Sequence, residues 1–144
     1  MKFEQIIVGV DGSENAVLAV EVAASLAKLA AAPVVAVHAI GLLESSADAT
    51  HTPAERHDEV RNAMEHHWCT GLTDAGVATS YELRDGNPVV VLLAVANDLD
   101  ADLIVLGSRG LGGFPELLLG STSTQVAQFA HCPVVIVPTP RADA

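Results

Sequence analysis

Residues 6–13 have the sequence IIVGVDGS, in which a β-branched run gives way to turn-forming residues. The run at 6–10 shows no alternation of polar and apolar residues, which is typical of a strand buried on both faces of a parallel sheet. Ser13 is well placed to cap a helix, whose stripe of small alanines continues as far as Pro33. This stretch therefore predicts the first strand, turn and helix of an α/β fold.

Strands and helices alternate along the rest of the chain. Further strands are predicted at 34–40, 77–83, 103–106 and 134–137, and further helices at 53–75, 88–96 and 122–130. Thr52 and Glu55 form a capping box before the second helix, and Asn87 caps the third. The alternation predicts one domain over residues 1–144, with a five-stranded, parallel, doubly wound sheet. We expect the strand order 3-2-1-4-5 and four helices distributed over both faces.

The composition limits the partners that the chain can have. Half of its 144 residues are hydrophobic but only 3% are aromatic, and the formal net charge is −11. The 7 Lys and Arg residues are scattered, so they provide no basic stripe for nucleic acid and no patch for an anionic membrane surface. A bound phosphate would therefore depend mainly on backbone N–H groups.

Targeting and redox signals are sparse. The N-terminal sequence lacks a signal-peptide pattern and no run of about 18 apolar residues occurs, so we expect a cytoplasmic protein without a membrane span. Cys69 and Cys132 are too few for a disulfide framework. The histidines form neither HExxH nor a His/Cys zinc pattern, so we expect no metal site built from side chains.

Two glycine-rich junctions follow the first and fourth predicted strands. The first spans Gly9–Ser13 and the second spans Gly107–Gly113. These strands are neighbours in the expected order, at the point where the winding of the sheet reverses, and open α/β sheets bind ligands there. We therefore expect both junctions to face one crevice. Asp11 in the first junction has an alternative role as an acid that stabilises the first turn of the helix.

The second junction carries the stronger signal for a ligand. Gly107-x2-Gly110 is followed, after nine residues, by the segment GSTS at 120–123, which opens a helix. Glycines let a ligand approach main-chain N–H groups, and a helix start with three hydroxyls suits a phosphate, with Arg109 as a nearby cation. Neither a Walker-type GxxxxGK(S/T) loop nor a GxGxxG fingerprint is present. The alternative interpretation is a glycine-rich turn and a capped helix without any ligand.

The motif Gly107-x2-Gly110-x9-Gly120-Ser121 and its setting resemble the universal stress protein family. The resemblance to that family extends to three further segments, residues 7–13 (IVGVDGS), 101–110 (ADLIVLGSRG) and 131–134 (HCPV). The resemblance covers nearly the whole chain except residues 41–75, and its motif marks the branch of the family that binds ATP.

The resemblance implies a site for ATP, together with Mg²⁺, and a role for each matching residue. Asp11 would lie near the ribose and adenine, and the main chain of Val37 would meet the adenine. The glycine-rich loop would hold the ribose and phosphates, and the helix start would bind the phosphates. The implied binding residues are Gly9, Asp11, Val37, Gly107, Ser108, Arg109, Gly110, Gly112, Gly113, Gly120, Ser121, Thr122 and Ser123.

The resemblance also implies a homodimer that pairs through the last strand, residues 134–137. The chain departs from the family pattern at Pro115-Glu116, inside the nine-residue spacer of the motif. A carboxylate directed inward would repel a phosphate, so we expect Glu116 to face solvent.

Three hypotheses on function remain open. The first is a regulator of the stress response that binds a nucleotide. Its dimer state, or its contact with an unidentified protein partner, would change when the nucleotide is bound. The second is a slow ATPase, or a protein that phosphorylates itself on Ser121 or Ser123, with Asp11 and Glu116 as the candidate bases. Neither acid has an evident partner in the sequence, so we assign no catalytic residue. The third is an interaction module that works without nucleotide.

Overall fold

The computed structural model describes residues 1–41, 52–110 and 119–139. The strands are β1 (Ile6–Gly9), β2 (Val34–Ile40), β3 (Thr79–Asp85), β4 (Leu103–Gly107) and β5 (Val134–Val137). The helices are α1 (Glu14–Ala30), α2 (Pro53–Ala63), α3 (Thr70–Asp74), α4 (Pro88–Asp98) and α5 (Ser121–Phe129), with a π-helical turn (Met64–Trp68) between α2 and α3.

All five strands pair in parallel, in the order β3-β2-β1-β4-β5. Ile6 of β1 is aligned with Val34 of β2 on one side and with Leu103 of β4 on the other. The predicted fold class and strand order are confirmed. The winding reverses between β1 and β4, so the carboxyl ends of these two strands border the crevice of the sheet.

The sheet is covered on both faces, and each face has its own hydrophobic core. Ile6 and Val8 of β1 pack with α1 and with Leu72 of α3 on one face. Ile7 packs with α4 and with Val126 of α5 on the other face. Successive side chains of a strand point to opposite faces, so β1 contributes to both cores. Helices therefore cover both faces, as the alternating sequence predicts.

Three helices begin at the predicted side-chain caps. Ser13 Oγ accepts a main-chain N–H of the first turn of α1 at 3.1 Å, and Asn87 Oδ1 accepts one from α4 at 2.9 Å. Thr52 and Glu55 form both hydrogen bonds of a capping box at the start of α2. These caps fix where each of the three helices begins.

Several element boundaries differ from the prediction by one or two residues, and two of the differences have a cause in the hydrogen bonds. The helix predicted at 53–75 is interrupted, because the N–H of Cys69 bonds to the carbonyl of Met64 at 3.1 Å, five residues earlier, which forms the π turn. The third strand spans Thr79–Asp85 rather than 77–83. It starts later because the N–H of Val77 bonds to a carbonyl of α3 at 3.0 Å and still belongs to the end of that helix.

Candidate functional site

An open cavity of about 400 Å³ lies at the carboxyl ends of β1, β2 and β4, beside the start of α5. Its lining contains every predicted binding residue that falls in the described ranges. These are Gly9, Asp11, Val37, Gly107, Ser108, Arg109, Gly110, Gly120, Ser121, Thr122 and Ser123. Gly112 and Gly113, together with Pro115 and Glu116, lie outside the described residues. The two glycine-rich junctions therefore meet at one cavity, as expected.

One wall of the cavity is apolar. Leu92 of α4 and Leu106 of β4 line it, together with Pro88. A Cβ on Gly9 would lie 2.5 Å from Leu106 Cδ2 and 3.3 Å from Leu92 Cδ2. Gly9 therefore lets two leucine side chains close over the end of β1. Sequence reasoning missed both leucines because their spacing also fits ordinary core positions.

The main chain of β2 reaches the cavity beyond the end of β1. The carbonyl of Val37 accepts the N–H of Val10 at 2.9 Å, and the pairing of β1 with β2 ends at Gly9 and Val37. Main-chain groups on one side of a strand recur every second residue, so Ala39 faces the side that β1 no longer covers. Ala39 lines the cavity. A main-chain contact with a planar base is therefore better placed at Ala39 than at Val37.

Asp11 connects the two junctions. Its Oδ1 accepts the N–H of Ser13 at 2.9 Å, which closes the turn between β1 and α1. A Cβ on Gly110 would collide with Asp11 Oδ2. The glycine at 110 thus allows the carboxylate of one junction to approach the backbone of the other.

Ser108 joins the loop after β4 to the start of α5. Its N–H donates to the carbonyl of Val137 at 2.8 Å. Its own carbonyl accepts the N–H of Gly120 at 2.6 Å and the hydroxyl of Ser123 at 2.9 Å. A Cβ on Gly120 would lie 3.3 Å from that carbonyl oxygen. The two ends of the motif are therefore held together at a single carbonyl group.

The start of α5 differs from the starts of α1, α2 and α4 because Gly120 occupies its cap position and no side chain caps it. Its first turn holds no acidic residue. The N–H groups of a helix's first turn have no intrahelical acceptor and carry the positive end of the helix dipole. Ser121 and Thr122 line the cavity at this point. The arrangement suits an anion with several oxygen atoms.

The side chain and the main chain of Arg109 donate hydrogen bonds to different parts of the structure. Its guanidinium Nη2 donates to Thr139 Oγ1, just after β5, at 2.7 Å. Its main-chain N–H donates to Asn15 Oδ1 at 2.8 Å. Asn15 is a buried residue of α1 that the sequence analysis did not single out.

His38 forms the edge of the cavity next to β2. His38 is 6% exposed, and its Nδ1 lies 2.7 Å from the carbonyl oxygen of Val10, so Nδ1 carries the hydrogen. The His38 ring meets the Trp68 ring edge to face, with 5.2 Å between centroids. Gly12, at φ +82°, lets the Trp68 indole pack against the turn after β1, because a Cβ there would lie 2.9 Å from the ring. The cavity therefore connects through His38 to the π turn.

The described ranges hold neither a side-chain metal cluster nor a membrane-spanning helix. Residues 1–41, 52–110 and 119–139 contain no cluster of three or more His, Cys, Asp or Glu side chains that could hold a metal ion. In the same ranges, no helix has the length and apolar character needed to span a bilayer.

Comparison with known sequences relates the chain to universal stress proteins. The model described as the universal stress protein family matches residues 2–138. Universal stress protein YxiE of Bacillus subtilis is 32% identical, over 94% of this chain and 99% of that protein. Some relatives are longer: the chain spans 46% of the length of universal stress protein Rv2623 of Mycobacterium tuberculosis.

Solved structures with the same architecture include nucleotide complexes. Universal stress protein UspA from Lactobacillus plantarum matches with a TM-score of 0.78 at 26% identity, covering 95% of this chain and 99% of that one. A universal stress protein in complex with cAMP matches at 0.69 and 28% identity, covering 95% and 98%. The universal stress protein from Archaeoglobus fulgidus in complex with dAMP matches at 0.71 and 25% identity, covering 95% and 99%. Some structural relatives therefore bind adenine nucleotides.

Proposed function

The chain belongs to the universal stress protein family, and from that premise we propose that it binds ATP, together with Mg²⁺, in the cavity beside β1 and β4. It acts as a cytoplasmic regulator of the stress response whose state depends on nucleotide occupancy. One observation carries the proposal. The lining of a single cavity combines an apolar wall, a carboxylate turn and a helix start without a side-chain cap.

Each part of the cavity suits one part of an adenine nucleotide. The apolar wall at Leu92 and Leu106 suits the base, with the main chain of β2 at Ala39 as its polar contact. Asp11 is placed to accept hydroxyl groups of the ribose. The first turn of α5, with Ser121 and Thr122, suits the phosphates through N–H and O–H donors. Two relatives bound to cAMP and dAMP support the adenine class of ligand.

The cation in this site has a secondary part in the proposal. The Arg109 guanidinium already donates to Thr139 at 2.7 Å, so a bound phosphate would have to compete with that contact. We therefore assign most of the phosphate binding to the neutral donors at the start of α5 and a smaller share to Arg109.

Regulation is favoured over phosphoryl transfer to Ser123. The Ser123 hydroxyl is buried and donates to the carbonyls of Ser108 and Gly120 at 2.9 and 3.1 Å. A hydroxyl committed in this way is poorly placed to attack a phosphate. Asp11 accepts the N–H of its own turn, which is a structural use of the carboxylate.

The proposal includes a homodimer formed through β5. This strand lies at the edge of the sheet, and Val134, Val135 and Ile136 remain partly exposed there. An edge strand with exposed apolar side chains and unpaired main-chain groups is suited to pairing with a second copy. Sedimentation measurements on the purified chain, with and without ATP, test this part.

The nucleotide proposal is tested by release and by thermal stabilisation. Purified protein is denatured and the supernatant is examined by mass spectrometry for adenine nucleotides. ATP with Mg²⁺ at about 100 times Kd should stabilise the folded chain by about 2.7 kcal/mol, measured as a rise in Tm. Gly120→Val should abolish the rise, because its side chain would occupy the space beside the Ser108 carbonyl at the helix start.

Gly41→Val is the matched control, since a Cβ there meets no heavy atom within 4 Å. It should keep the full response to ATP. A wild-type chain that releases no nucleotide and gains no stability with ATP would overturn the proposed function.

A further inference from the structure

Asn15 connects three separate parts of the chain behind the cavity. It lies in the first turn of α1 and is 7% exposed. Its Nδ2 donates to the carbonyl of Val137, the last residue of β5, at 3.1 Å. Its Oδ1 accepts the hydroxyl of Ser108 at 3.2 Å and the main-chain N–H of Arg109 at 2.8 Å. One side chain therefore ties α1, the loop after β4 and the end of β5 together.

The contact between Asn15 and the loop is close enough to explain a glycine of the motif. A Cβ on Gly107 would lie 2.8 Å from Asn15 Cγ, 3.0 Å from its Oδ1 and 3.1 Å from its main-chain carbonyl carbon. No side chain fits at 107 while Asn15 occupies this position. The first glycine of the motif thus makes room for a protein side chain.

The chemistry of the contact requires an amide. The Val137 carbonyl needs a donor, while the Ser108 hydroxyl and the Arg109 N–H need an acceptor. An Asn side chain supplies both from one planar group, whereas Asp supplies only acceptors and Leu neither. Because the group is buried, its hydrogen bonds cannot be replaced by bulk water without rearrangement.

The effect of Asn15 extends to the start of α5. Asn15 holds the backbone at Ser108 and Arg109, and the Ser108 carbonyl in turn accepts the N–H of Gly120. The position of the helix start relative to β4 therefore depends on a chain of contacts that begins at Asn15. That helix start is the part of the cavity suited to phosphate.

We propose that Asn15 is a positioning residue that gives the site its preference for the phosphate group of a nucleotide. The inference rests on the proposed function and deepens it. Asn15 does not touch the ligand; it fixes the loop and the helix start that do. Its loss should weaken binding of the phosphate-bearing ligand and spare binding of the nucleoside.

The test compares ATP with adenosine by calorimetric titration of the wild-type chain, Asn15→Ala and Val60→Ala. Val60 is buried in the core that contains Ile6 and Val8, and it lies outside the cavity lining. Val60→Ala therefore controls for lost stability. Asn15→Ala should bind ATP about tenfold more weakly and adenosine within about twofold of wild type. Val60→Ala should keep the wild-type ratio of the two affinities.

Amide hydrogen exchange at Arg109 gives a second, ligand-free measurement. Asn15→Asp keeps the acceptor for the Arg109 N–H and should keep its protection, whereas Asn15→Ala should lose it. If the wild-type chain binds adenosine and ATP equally or not at all, the proposed function fails. If the wild type prefers ATP and Asn15→Ala keeps that preference, or if the Arg109 amide stays protected in Asn15→Ala, the inference about Asn15 is overturned and the proposed function stands.

Discussion

Gly107→Ala is expected to destabilise the fold through its collision with Asn15. The added Cβ would lie 2.8 Å from Asn15 Cγ and 3.1 Å from the main-chain carbonyl carbon of that residue. The first atom belongs to a side chain that three hydrogen bonds hold in place, and the second belongs to the backbone of α1. Neither can move away without breaking other contacts.

The size of the effect follows from two contributions. Overpacking of a close-fitted interior by one methyl group costs about 1–3 kcal/mol. Displacing Asn15 leaves the Arg109 N–H without its acceptor, which costs about another 1–3 kcal/mol. We therefore expect the free energy of unfolding to fall by about 2–6 kcal/mol. Because domains commonly have a free energy of unfolding of about 5–15 kcal/mol, most of them would remain folded after such a loss.

The assay is urea unfolding followed by circular dichroism, with Gly41→Ala as the control. A Cβ at Gly41 meets nothing within 4 Å, so that change should shift stability by less than about 1 kcal/mol. In the double variant Asn15→Ala/Gly107→Ala most of the collision disappears, so the two losses should fall short of additivity by about 1–3 kcal/mol. Equal unfolding midpoints for Gly107→Ala and Gly41→Ala, or strictly additive losses, would refute the reasoning.

Three further predictions concern other parts of the molecule. Burial raises the pKa of the Cys69 thiol from 9.0 to about 12, so the folded chain holds this proton more tightly than the unfolded one. Stability should therefore be intact below about pH 8 and fall by about 1.4 kcal/mol between about pH 8 and 10, and urea unfolding should show a smaller fall in Cys69→Ala. ATP should change the fluorescence of Trp68, the single tryptophan, because its ring contacts His38 on the cavity edge; a saturating titration without any change would count against this connection. Asn87→Ala should cost about 1 kcal/mol in urea unfolding because it removes the cap of α4, whereas Asn62→Ala on the exposed side of α2 should cost less than about 0.5 kcal/mol.

The sheet could be predicted because its evidence is local. Runs such as Ile6–Val10 and Leu103–Leu106 are apolar on both faces, and only a sheet covered by helices on both sides buries such strands. The caps Ser13 and Asn87 are equally local, since each bonds to N–H groups within three residues. From these features the order of elements and the position of the crevice follow by topology alone.

The π turn could not be predicted because its neighbours favour an unbroken helix. The capping box at Thr52 and the apolar spacing through Met64 and Leu72 both continue a regular helical pattern. What the turn achieves is a tertiary contact: it places Trp68 against Gly12 and His38, which lie far away in the sequence. No periodicity within the segment carries that information.

The sequence singles out the glycines around the cavity more completely than the polar residues that hold the surrounding loops in place. A glycine-rich motif is visible in a single stretch, whereas Asn15 gains its role from atoms 93, 94 and 122 residues further along the chain. In the sequence it is one polar residue in the first turn of a helix, a common place for asparagine. The choice of Ala39 over Val37 as the proposed main-chain contact has a similar origin, since it depends on where β1 stops pairing with β2.

The acidic composition and a phosphate site are compatible because the charges are distributed unevenly. The formal net charge of −11 opposes long nucleic acids, whose binding requires many cationic contacts. The binding of a single nucleotide depends instead on the few groups that surround it. Glu14 and Glu55 lie in the first turns of α1 and α2, where they offset the positive helix ends, but the first turn of α5 has no acid. That helix end keeps its positive potential, and its residues Ser121, Thr122 and Ser123 line the cavity. The first turn of α5 thus holds no acidic residue that would oppose the proposed phosphate, and we expect this local arrangement, rather than the total charge, to decide which anion the chain binds.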